Sequence, residues 1–90
     1  MIRNYTEIAV EEVFDEVLAG FLQKKPEMCT CPRCRDDIKA LALNRLPPRY
    51  VASDRGEIFT KVAFDLVGGK AQIIAALWDA MEQVSLKPHR

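Results

Sequence analysis

The stretch Cys29-Thr30-Cys31-Pro32-Arg33-Cys34, running on through Ala42-Leu43-Asn44-Arg45-Leu46 to Pro47-Pro48-Arg49-Tyr50, decides the reading of this chain. All three cysteines fall within its first six positions. Pro32 suits the first position of a helix, since the N–H it lacks would have no partner there, and Asp36 and Asp37 favour a helix N-terminus. Cys34, Ile38, Leu41, Ala42 and Leu46 recur as one inward face. Pro47 and Pro48 then stop the helix, because they offer no backbone donor and push the preceding residue into extended conformation.

Outward from this stretch the pattern is helical on both sides. Asn4 and Glu7 have capping-box spacing, which predicts a helix starting near Tyr5. Ala9, Val13, Val17 and Phe21, flanked by Val10, Phe14, Leu18 and Leu22, form a wide apolar stripe opposite acidic residues. Lys24 and Lys25 suit the C-terminal dipole, and Pro26 ends the helix. Residues 49–56 read as a loop, and Asp54 with Glu57 again has capping-box spacing. Ile58, Phe59, Val62, Ala63, Leu66 and Val67 fit a helical stripe, although their β-branched and aromatic content also suits a strand. Phe59 and Phe64 are expected in the core. Gly68-Gly69 is a break, and Ile73, Ile74, Leu77, Trp78, Met81 and Val84 form a last amphipathic helix. Trp78 reads as core or subunit interface rather than a stacking platform. The expected fold is all-α: a small bundle of about four helices, a cysteine knuckle between the first two, and one domain over residues 1–90.

The chain has 90 residues, 49% of them hydrophobic, and 13 basic against 13 acidic groups, a globular composition. One core of this size is marginal, and a metal or a second subunit commonly supplies the missing stability. Residues 1–23 hold Arg3 against Glu7, Glu11, Glu12, Asp15 and Glu16, whereas residues 24–61 hold nine basic and five acidic groups. An anionic ligand is therefore expected in the middle of the chain, and a balanced total argues against a general nucleic-acid coat. No apolar run reaches the ~20 residues of a membrane span and the N-terminus has no signal-type stretch, so a cytoplasmic protein is expected. An odd cysteine count argues against a secreted disulfide framework.

The cysteines admit three chemistries. Cys31-x-x-Cys34 with Cys29 offers three thiolates from a turn entering a helix, which suits tetrahedral zinc. The helix N-terminus with Arg33 and Arg35 would also suit a redox dithiol, but no thioredoxin-like βαβ pattern surrounds it. Plain buried thiols are the third. Structural zinc is the reading adopted, with His89 as the strong ligand available for the fourth position and Asp36, Asp37 or water as weaker substitutes. A catalytic zinc would need a general base, and none stands out.

Cys29-Thr30-Cys31-x-x-Cys34, Asp37, Ala40, Ala42-Leu43-Asn44-Arg45-Leu46-Pro47-Pro48 and Tyr50 together resemble the late-competence ComFB family. The similarity covers nearly the whole chain, and Leu-Asn-Arg-Leu-Pro-Pro-x-Tyr is its specific part. It implies a small all-α homodimer, a zinc site in cysteine-bearing members, and in several members recognition of the cyclic dinucleotides c-di-GMP or c-di-AMP. A cysteine-bearing relative supplies a fourth cysteine near its C-terminus; this chain has none, and His89 occupies about that part of the chain.

A two-fold cyclic dinucleotide matches the symmetry of a homodimer. Arginine can fork onto guanine O6 and N7 or stack on a base, and tyrosine offers a stacking face. The candidate nucleotide residues are Asn44, Arg45, Pro48, Arg49, Tyr50, Ser53 and Lys61. Against this, Arg45 has the place of a solvated charge pleasing the helix dipole, Arg49 and Tyr50 that of a loop pin, and Lys39 that of a surface residue. No catalytic constellation is evident, so a non-enzymatic receptor regulating competence, motility or surface behaviour is expected. The rivals are a zinc-stabilised protein–protein interaction module, a redox-sensing dithiol and a single-stranded nucleic-acid binder.

Overall fold

In the computed structural model, which describes residues 1–87, four helices carry the chain. In order these are strand β1 (Arg3–Asn4), α1 (Tyr5–Lys24), α2 (Pro32–Arg45), strand β2 (Tyr50–Val51), α3 (Asp54–Leu66) and α4 (Gly69–Leu86). The fold is all-α apart from the two-residue ribbon in which β1 and β2 pair antiparallel, Arg3 opposite Val51 and Asn4 opposite Tyr50. Residues 58–67 are thereby helix rather than strand up to Leu66. None of the helices is long and apolar enough to cross a membrane among the described residues.

The core follows the stripes. Helix α1 buries Ala9, Val10, Phe14, Val17, Leu18 and Phe21; α2 buries Cys34, Ile38 and Ala42; α4 buries Ile73, Leu77, Ala80, Met81 and Val84. Leu41 and Leu46 are only half-buried at the edge of that core. Helix α4 lies between the other elements, packing most heavily on α2 and then on α1. Trp78 is half-buried, with its ring edge-on to Phe21 at 5.0 Å and Lys24 over it. Such aromatic pairs add about 0.5–1.5 kcal/mol beyond burial.

Helix α3 is the exception. Phe64 is its one buried residue, meeting Tyr5 edge-on at 5.6 Å. Phe59 is 65% exposed, contrary to the expectation that it belonged to the core. Its stripe is real, but it points away from α1, α2 and α4. The cap also shifts by one residue: Ser53, not Asp54, accepts the Gly56 N–H, at 3.1 Å. Gly68 adopts φ 71°, a left-handed conformation that glycine takes at no steric cost, and so turns α3 into α4.

The start of α1 is tied to the proline corner. Asn4 Oδ1 accepts from the Thr6 N–H at 3.1 Å, capping the helix, and from the Arg49 N–H at 2.9 Å. The Tyr5 N–H donates to the Arg49 carbonyl at 2.6 Å, and Thr6 Oγ1 donates to the Pro47 carbonyl at 2.8 Å. Thr6 is the buried polar residue of the core. Replacing it with valine keeps the volume but leaves the Pro47 carbonyl without its donor, a loss of about 1–2 kcal/mol. Thr6→Val is therefore expected to lower the urea midpoint with an unchanged m-value. A midpoint equal to wild type would show that the corner is not held through this bond.

Candidate metal centre and proline corner

The loop between α1 and α2 gathers the three thiols. Pro26 starts a turn closed by the Met28 N–H on the Lys25 carbonyl, and Met28 sinks into the core. Arg35 Nε donates back to the Thr30 carbonyl at 3.0 Å, and the Arg35 N–H donates to the Cys31 carbonyl, opening α2. The result brings the Sγ atoms of Cys29, Cys31 and Cys34 within 4.8 Å of one another. Cys34 is buried, and the other two are half-buried at the rim. None is in a disulfide.

This geometry fits zinc. At a Zn–S length of about 2.3 Å, tetrahedral sulfurs lie roughly 3.8 Å apart, so closure needs only a modest inward rotation of the thiols. The Cys31 thiol is held below its ordinary value, first by the Cys34 backbone N–H. Hydrogen bonds from the Cys29 and Cys34 side chains and the Arg33 backbone add to this, against burial that opposes it. A thiol so placed deprotonates readily, as a metal ligand must. Neither Asp36 nor Asp37 joins the sulfur cluster, so the described residues supply three ligands. His89 lies outside the described residues.

The seven candidate nucleotide residues are not gathered in one cavity. Arg45, at the end of α2, pairs with Asp79 of α4 at 3.2 Å. Both side chains are substantially exposed, so this ion pair is worth only about 0–1 kcal/mol and an anion can displace it. The Arg49 guanidinium stacks over the Phe64 ring at 5.4 Å, while its backbone is pinned by Asn4 and Tyr5. Pro48 is exposed between them. Tyr50 is 68% exposed although its backbone is fixed in β2. Ser53 is occupied as the α3 cap. Lys61 lines a cleft of about 290 Å³ with Tyr5, Glu12, Phe64 and Asp65, and Asn44 lines a shallow groove of about 230 Å³ with Asp37, Ala40 and Leu41. Lys39, read as a surface residue, pairs with Glu11 at 3.1 Å and sits over the Phe14 ring.

Two features escaped the sequence reading. Tyr50 borders a cleft of about 750 Å³ whose other wall is the outer face of α1, with Glu7, Glu11 and Glu12 against Arg3. Those glutamates were legible as an acidic helix face, but only the ribbon places Tyr50 opposite them. Carboxylates also act on Tyr5, whose phenol is pushed above its ordinary value by burial first and then by Glu12, Asp65 and Glu57. Asp37 carries the second feature: its Oδ2 is buried without a hydrogen-bond partner among the described residues.

The family pattern described as late competence development protein ComFB matches residues 3–88. This chain belongs to the ComFB family. It is 33% identical to the competence protein ComFB of Bacillus subtilis (strain 168) over 61 residues, which is 68% of this chain and 58% of the relative. The chain thus matches less than two thirds of that protein's length. The solved structure of the late competence protein ComFB from Bacillus subtilis superposes with a TM-score of 0.77 and 28% identity, covering 98% of this chain and 92% of that one. The four-helix architecture is therefore the ComFB fold, and in this chain the cysteine triad sits where the loop after α1 enters α2.

Proposed function

We propose that this ComFB-family protein is a non-enzymatic, homodimeric receptor for a cyclic dinucleotide, c-di-GMP or c-di-AMP, stapled by a structural zinc. Residues 1–90 act as one domain, located in the cytoplasm. Cys29, Cys31 and Cys34 hold the metal, with His89 as fourth ligand. Zinc has no redox chemistry of its own, and a site closed by four protein ligands leaves no position for substrate; its contribution is to fix the loop that enters α2.

The observation that carries the receptor reading is Tyr50: an aromatic ring 68% exposed on backbone that is fixed by the ribbon, next to Arg49. A base stacked on such a ring meets little ordering cost, because Asn4, Tyr5 and Thr6 have already fixed the corner. Arg45 exchanges its weak pair with Asp79 for phosphate or a guanine edge, and Arg49 supplies a second guanidinium. Asn44, Pro48, Ser53 and Lys61 complete the proposed set of nucleotide contacts. Binding would report to a protein partner, with competence, motility or surface behaviour as the output.

Isothermal titration with each nucleotide tests this reading. Wild type is expected to bind one of them, and Tyr50→Ala to weaken it by about 10- to 100-fold, the worth of one stacked base. Arg45→Ala should lose affinity and flatten the salt dependence. Equal affinity in all three proteins would remove the corner from the site. One set of observations favours the second reading, a zinc-stabilised interaction module without nucleotide. Glu7 and Glu12 line the cleft beside Tyr50 and disfavour an anion there, and Arg45 and Arg49 already have intramolecular partners. In that case neither nucleotide binds wild type at all.

A further inference from the structure

Where α1, α3 and α4 meet, the fold leaves a cleft of about 290 Å³ that is more enclosed than the one beside Tyr50. Tyr5 lines it from the start of α1. That side chain is only 3% exposed, yet its hydroxyl makes no hydrogen bond among the described residues. Asp37 Oδ2 is the one fully sealed side-chain polar atom without a partner there, so the Tyr5 hydroxyl keeps an opening, and the cleft is the space it lines. A buried phenol normally finds a partner, because it has given up its bonds to water. Four charged residues border the same cleft: Glu12 on α1, Lys61 and Asp65 on α3, and Lys70 on α4. All four are exposed, and none is in an ion pair among the described residues. Between them and the phenol the walls are apolar, with Val13 and Ile73 on opposite helices.

We propose that this cleft binds a small zwitterion with an apolar body, a free α-amino acid with a branched aliphatic side chain. Two carboxylates and two ammoniums make a site that suits a ligand carrying both signs. A simple anion would meet Glu12 and Asp65 there, and a simple cation would meet Lys61 and Lys70. The orientation follows from the phenol. Its pKa is raised by burial first and then by Glu12, Asp65 and Glu57, so the charges that act on it are carboxylates. The ligand ammonium therefore enters on that side, donating to Tyr5 Oη with Glu12 and Asp65 as counter-charges. Its carboxylate faces Lys61 and Lys70, and the aliphatic part lies against Val13 and Ile73. The volume is at the lower end of the range for small-molecule sites and equals that of roughly ten waters, which suits a molecule of leucine's size. A cyclic dinucleotide is far too large for it. The site thus stands apart from the nucleotide reading, with Lys61 as the one residue named in both.

Isothermal titration of the zinc-loaded protein with L-leucine, L-isoleucine and L-valine tests the proposal. At least one is expected to bind with a Kd of about 10 µM to 1 mM, a range open to a ligand this small. Leucinamide and N-acetylleucine, which each lack one of the two charges, should bind at least about 10-fold more weakly. Tyr5→Phe removes only the unpartnered hydroxyl. It is expected to leave the melting temperature of the free protein unchanged while weakening the amino acid by about 10- to 100-fold, the worth of a hydrogen bond to a charged group. Tyr50→Ala should leave this affinity as it is, which separates the cleft from the nucleotide site. The proposal is overturned if none of the three amino acids binds wild type at about 10 mM. It is equally overturned if N-acetylleucine binds as tightly as leucine, which would mark a simple anion site, or if Tyr5→Phe binds as wild type does.

Discussion

Stripping the metal with a chelator is expected to lower the melting temperature of the protein by roughly 12–24 °C at fixed protein concentration. The figure follows from a loss of about 3 kcal/mol in a domain this small, at about 4–8 °C per kcal/mol, and is conservative beside zinc-finger peptides. The physical reason lies in the α1–α2 loop. Cys34 is fully buried on α2, and Cys29 and Cys31 stand half-buried on the approach to it. A metal bound only in the folded state stabilises by mass action, and without it three thiols crowd a site that no longer needs them together. Cys34→Ala should therefore match chelated wild type to within the small additional cost of a missing thiol, and a chelator should have little further effect on it. An equal chelator effect on both proteins would place the metal elsewhere.

Gly69→Ala is the second large effect. A Cβ at Gly69 would land well inside 3.0 Å of the Phe64 ring, and Gly69 is buried, so one of them must move. The ring has nowhere cheap to go, because Tyr5 meets its edge and Arg49 covers its face. Phe64 is also the one buried residue of α3, and displacing it loosens the whole helix. The expected loss is about 2–3 kcal/mol, the cost of overpacking a fixed site, or roughly 8–24 °C in melting temperature. Adding Phe64→Leu should cost less in the Gly69→Ala background than in wild type, since the clash is then already relieved. Simple additivity of the two changes would mean that the glycine is not there to admit the ring.

Helices α1, α2 and α4 were legible because their apolar residues recur at helical spacing and the stops are chemical: Pro26, the Pro47-Pro48 pair and Gly68. Phe59 was misplaced for an instructive reason. Periodicity tells which side chains share a face and is silent on what covers that face, so an exposed stripe and a core stripe read alike. Asn4 was legible as a helix cap, yet its second acceptor bond, to the Arg49 N–H across 45 residues of sequence, has no local signature. The same holds for the two-residue ribbon, too short to show alternation, and for Asp79 beside Arg45. The cysteine spacing foretold the sulfur cluster because a short turn leaves little freedom. The candidate nucleotide residues are different: they are close in sequence, but the fold spreads them over separate clefts and sets Tyr50 in one that glutamates also line.

The central claim, a zinc-stapled homodimer that takes up a cyclic dinucleotide, is tested most directly by native mass spectrometry of the purified protein alone and with equimolar c-di-GMP or c-di-AMP. The account predicts a dimer carrying one zinc per chain that gains the mass of one of the two nucleotides, with the gain lost in Tyr50→Ala. A zinc-loaded dimer whose mass is unchanged by either nucleotide would contradict it, and would leave a metal-stapled interaction domain in its place.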